Sequence, residues 1–124
     1  MHIGQYENLC GNPEIFTVLK EIASTDDYEM QFRMGEALLE DINLAFLTER
    51  GVVMNYPDIE DITCAYRQFD PEISELMSEV KFICRLRDQN GVLCHMPHML
   101  LGVVDTIYGE LVGKFGFTGQ AAKQ

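Results

Sequence analysis

The sequence predicts an all-α protein of about five helices in a compact bundle or a short helical-repeat-like array. Two observations carry this. Apolar residues recur at i, i+3, i+4 and i+7 over long proline-free stretches, the spacing that lines up one face of a helix. Helix punctuation fills the breaks: Asn12-Pro13-Glu14 and Asp70-Pro71-Glu72 each put a capping side chain, a proline and an acid in starting order, and Gly51 and Gly91 stand where helices should stop.

Residues 1–11 show no period and are read as an ordered or fraying lead-in. The first helix starts at the Asn12 cap, runs Ile15, Val18, Leu19 and Ile22 along one face, and ends near Ser24. Thr25-Asp26-Asp27 offers the next cap. From there to Arg50 the stripe is Met30, Met34, Leu38, Ile42 and Ala45, widened by Phe32, Leu39 and Phe46, so this helix should pack on more than one side. The spacing assigns Met30 and Met34 to the core. Gly51 closes the helix, and residues 52–56 run irregularly to Pro57. A third helix places Ile59, Ile62, Ala65, Tyr66 and Phe69 inward and Asp58, Glu60 and Asp61 outward. The fourth, from the Asp70 cap, carries Ile73, Leu76, Met77, Val80, Ile83, Cys84 and Arg87, and stops at Asn90-Gly91. The fifth follows Pro97 with Leu100, Val103, Val104, Ile107, Tyr108, Leu111 and Val112. Glycines keep residues 115–124 from continuing it, and that tail too is free to fray.

Residues 51–57 and 91–97 share the pattern Gly-Val-apolar-x-x-x-Pro. A forty-residue offset occurs in helical-repeat arrays, two copies do not make a solenoid, and the same helix-to-helix linker used twice is an equal account of the echo. Both are read as loops, with a pair of short strands as the rival.

With 47% hydrophobic residues, the 124-residue chain can bury its own core as one helical domain over residues 1–124. Acids number 20 against 9 lysines and arginines, a net charge of −11, and residues 26–79 account for all of it with fourteen acids and three bases. Such a chain is repelled by nucleic acid and by anionic lipid, so neither is an expected partner; a basic protein surface is. No run of 18 apolar residues occurs, and the start lacks a basic region followed by an apolar one. The expected compartment is the cytoplasm, with Cys10, Cys64, Cys84 and Cys94 as free thiols.

Each tempting constellation of reactive residues has a plainer reading. Cys94-His95-Met96-Pro97-His98 gathers metal-ligating types, but a closed zinc site needs four ligands in spaced pairs, and the remaining Cys10, Cys64, Cys84 and His2 are scattered. There is no G-x-S-x-G elbow for a nucleophile. Glu36 with Glu40, and Glu72 with Glu75 and Glu79, share helix faces, yet helical di-metal sites add Glu-x-x-His motifs that this chain lacks. The expectation is no catalytic residues, no metal, no cofactor and no enzymatic activity.

What remains is a concentrated acidic surface. It keeps a small protein soluble, and it also steers a basic partner and speeds association. By overall character along the whole chain (small, acidic, helical, without catalytic machinery) the protein resembles the immunity proteins that bacteria pair with secreted nuclease toxins, including those of contact-dependent growth inhibition. The resemblance implies binding to one basic toxin domain, a nuclease, with its active site or substrate path blocked. The partner-binding residues expected are Asp58, Glu60, Asp61, Asp70, Glu72, Glu75 and Glu79, with Tyr56 and Tyr66 as aromatic anchors. Tyr66 fits the core equally well. Two other readings are a DNA mimic, whose carboxylates imitate phosphates, and a small adaptor or regulatory subunit. The oligomeric state is left open.

Overall fold

The computed structural model describes residues 2–68 and 70–119. After a 3-10 turn at Ile3–Gln5 come α1 (Glu7–Cys10), α2 (Pro13–Ala23), α3 (Tyr28–Glu49), α4 (Ile59–Arg67), α5 (Pro71–Asn90) and α6 (Met96–Phe115). Among the described residues there is no strand, and the helices form the expected all-α bundle. Helix α6 packs against α3, α5 and α1, while α4 lies on α5 and α2 on α1 and α3. This surrounded position explains why α6 buries residues on several faces, from Leu100 and Leu101 to Ile107, Tyr108 and Leu111. At Gly35 the approach of α3 to α6 is close: a Cβ there would lie 3.1 Å from Leu100 Cδ2.

The starts and stops follow local chemistry. Asn12 Oδ1 accepts from the Glu14 and Ile15 N–H groups, and its Nδ2 donates to the Tyr108 hydroxyl at 3.1 Å, tying the start of α2 to α6. Asp27 and Asp70 cap α3 and α5 in the same way. Asp58 and Asp61 form a reciprocal capping box on α4, each carboxylate accepting from the other's backbone N–H at 3.0 and 2.8 Å. At the other end of α3, Gly51 takes φ 81°, Val52 N–H returns to the Leu47 carbonyl and Gly51 N–H to Thr48. That is the Schellman pattern, which a side chain at position 51 would strain. Gly91 also has positive φ; residues 51–57 form a loop, and the second Gly-Val segment is a loop as far as His95, with Met96 and Pro97 already in α6.

The structure departs from the sequence reading at several positions. Of the two states allowed for the N-terminal lead-in, its described part takes the ordered one, with packing that the sequence reading did not assign. Tyr6 and Leu9 are buried, Leu9 N–H donates to Asp105 Oδ1 at 2.8 Å, and the Tyr6 hydroxyl is hydrogen-bonded to His98 Nδ1. A four-residue helix is too short to display a period, which is why its packing against α6 leaves no trace in the pattern. In the tail, Gly116 turns left-handed (φ 68°) and sends Phe117 back into the core, edge-on to Phe46 at 5.5 Å between ring centroids. Met30 is 46% exposed; in that first turn of α3 the buried side chains are Gln31, held by the Thr25 carbonyl, and Phe32. Val112 is also exposed. Phe69, expected on the inner face of α4, lies outside the described residues, as do residues 120–124. No helix among the described residues is long and apolar enough to cross a membrane.

Candidate protein-binding groove

The inner stripe of α5 (Ile73, Met77, Val80, Ile83) is buried, and a second row beside it, Glu75, Glu79 and Phe82, recurs at i, i+4 and i+7. This row faces Met99, Gly102, Val103 and Thr106 of α6 across an open groove of about 610 Å3. Phe82 and Met99 are 55% and 38% exposed and line the same groove, so they form an apolar patch rather than two scattered residues. Gly102 leaves the α6 side of the groove open, because a Cβ built there meets nothing within 4 Å. The two hydroxyls present are already used: Ser78 donates to the Ser74 carbonyl and Thr106 to that of Gly102. The remaining polar groups are the carboxylates of Glu75 and Glu79. Both are exposed, and among the described residues neither makes an ion pair or hydrogen bond.

Most of the other expected partner-binding residues have partners within the protein. Asp58 and Asp61 hold the α4 capping box. Glu60 pairs with Lys81 of α5 at 2.6 Å. Asp70 is buried, caps α5 and meets Lys114 of α6 at 3.3 Å, and Glu72 meets the same ammonium at 2.8 Å. With Glu110 as a third partner, these acids hold Lys114 above the usual lysine range, Glu72 contributing most. Tyr66 is no surface anchor: it is fully buried, donates to Asn43 Oδ1 at 2.7 Å and stacks near Phe46, and burial pushes its phenol well above the ordinary range. Tyr56 is fully exposed, in the loop between α3 and α4, with a positive φ of 51° that non-glycine residues seldom adopt. Glu75 and Glu79 thus come together in the groove, whereas Tyr56, Asp58, Glu60 and Asp61 gather around the start of α4.

Phe82, Met99 and Gly102 complete the groove and were not among the expected site residues. The available signal was that Phe82 and Met99 are large apolar residues off their helices' inner stripes. Of the Cys94–His98 cluster, Cys94 and His95 are exposed and His98 is engaged by Tyr6. Among the described residues no three His, Cys, Asp or Glu side chains are placed to hold a metal ion.

Comparison with protein-family models, with curated proteins and with solved structures returns no match to this chain.

Proposed function

We propose that this protein is a non-enzymatic inhibitor of the immunity type, which binds a basic toxin domain, a nuclease, through the α5–α6 groove and blocks its substrate path. The observation that carries the reading is the pair of unengaged carboxylates, Glu75 and Glu79, on the rim of a groove with an exposed aromatic, Phe82. Apolar side chains in a groove supply binding energy when water is expelled, and aromatic residues dominate such hot spots. Rim carboxylates contribute steering and selection: they attract the phosphate-binding cleft of a nuclease and repel acidic proteins. The chain's net charge of −11 extends that field.

The test pairs capture with growth rescue. Wild-type protein and the variants Gly102→Leu and Glu75→Lys/Glu79→Lys are immobilised and exposed to lysate of the source cells at low and high salt. The expected result is one basic protein held by the wild type, lost by Gly102→Leu and held less well at low salt by Glu75→Lys/Glu79→Lys, toxic when expressed alone and neutralised by co-expression of the wild type. Retention of the same proteins by all three would remove the groove from the interface. A broad set of salt-labile DNA-binding proteins would replace the immunity reading with the DNA mimic.

A further inference from the structure

The α5–α6 groove is graded along its length. The short loop 91–95 makes α5 and α6 antiparallel neighbours, so Phe82 and Met99 lie toward the loop end and Glu75 and Thr106 toward the other. On α5, Glu75, Glu79 and Phe82 stand on successive turns, the two carboxylates about 6 Å apart along the axis and the ring about 4.5 Å beyond.

The groove also admits a close approach. Of the glycines inside helices, Gly35 meets Leu100 and Gly109 meets Asn8, whereas Gly102 and Gly113 face open space, and Gly102 is the one that lies in the groove. Glycine weakens a helix interior, and nothing within the chain uses the room that Gly102 leaves. Ser78 and Thr106, also small, line the same groove.

Hydrogen bonding decides the conformation of an occupant. The mid-helix N–H and C=O groups of α5 and α6 are bonded within their own helices, and the Ser78 and Thr106 hydroxyls donate to the Ser74 and Gly102 carbonyls. An extended segment laid here would find no backbone partner, and its covered N–H and C=O groups would stay unpaired. A helix brings its own bonds with it. Charge decides the rest: unengaged carboxylates one turn apart match cations one turn apart, and the net charge of −11 opposes a second copy of this chain.

We propose that the occupant of the groove is an amphipathic α-helix of the basic partner. It sets Lys or Arg on two successive turns against Glu75 and Glu79, and an apolar side chain on the next turn between Phe82 and Met99, over Gly102. This rests on the groove being the partner interface, and adds the form that the partner takes there.

Three alanine-rich peptides of about four turns test it. The first is cross-linked into a helix, with arginine on two successive turns of one face and leucine on the turn to either side, so that either chain direction can match. The second is the same except that its arginines are moved to the opposite face. The third keeps the first peptide's pattern but has a central proline and no cross-link, and is not helical. The full-length protein is titrated into each labelled peptide at low salt and followed by fluorescence anisotropy. The first peptide is expected to bind saturably between about 10 and 100 µM, and the other two at least about tenfold more weakly. Gly102→Leu should abolish binding of the first. Glu75→Gln/Glu79→Gln, which changes only exposed side chains, should weaken it about tenfold and flatten its salt dependence. The helix is overturned by equal binding of the three peptides, by no saturation at about 1 mM, or by binding that ignores both variants. A dimer in sedimentation that Gly102→Leu dissolves would also overturn it and give the groove to a second copy. Failure of the peptides alongside a captured partner that Gly102→Leu releases removes only the helix; a captured partner indifferent to Gly102→Leu removes the interface itself.

Discussion

The acids at the starts of α4 and α5 and those one turn further along α5 look alike in the sequence but differ in their partners. Asp58, Asp61 and Asp70 accept backbone N–H groups at helix N-termini, and Asp70 and Glu72 also share Lys114. Glu75 and Glu79 accept nothing from the described residues and edge an apolar groove. The first group spends its charge on holding the fold, the second leaves it available to a partner. A count of charges therefore does not locate a binding surface; the partners of each charge do.

The core sets the scale for breaking this comparison. Leu38 is buried, and Leu38→Ala should lower unfolding free energy by about 2–5 kcal/mol in urea denaturation. The acids committed to the fold come next. Asp70→Ala removes the α5 cap and one partner of Lys114, with an expected loss of about 2 kcal/mol. Asp58→Ala opens the α4 capping box and should cost about 1 kcal/mol. If either substitution left stability unchanged, the distinction between structural and available acids would fail at that residue.

How much of this was legible follows from the range over which each feature acts. The Asn12 and Asp70 caps and the Gly51 stop are local, set by residues a few positions apart, and they stand in the structure where the pattern puts them. The Asp58–Asp61 box is equally local but uses Asp at both places, where the familiar motif has Ser or Thr followed by Glu or Gln, so those residues read as free surface charge. The α1 packing and the groove are not local. Leu9 bonds to Asp105, and Phe82 faces Met99 only because α5 and α6 pack side by side. Periodicity assigns a face to each helix separately and is silent on which two faces meet. Tyr66 shows the same limit from the other side: its spacing suits both core and anchor, and the buried Asn43 opposite it decides for the core.

The groove itself gives an effect of opposite sign. Gly102 sits in the helical run of α6 with open space where a side chain would go. Gly102→Leu should therefore raise stability by about 0.5–1 kcal/mol, through helix propensity, while filling the groove. A thermal melt combined with partner capture separates the two: a higher midpoint with binding lost is the expected outcome. A higher midpoint with binding retained would place the interface elsewhere, for which the fully exposed Tyr56 is the next surface to change.

The smallest stability effect is the most informative. Glu75→Lys/Glu79→Lys replaces two exposed side chains that no described residue engages, so unfolding should shift by no more than about 0.5 kcal/mol. Association should respond strongly, because rim charges act on the encounter before contacts form. The on-rate for a basic partner should fall most at low salt, and the gap from wild type should narrow as ions screen beyond about 10 Å at 0.1 M. A slower on-rate with an unchanged fold assigns the two acids to steering. An equal on-rate at low salt would return Glu75 and Glu79 to plain solvation and leave Phe82 and Met99 as an apolar surface that a partner recognises without regard to charge.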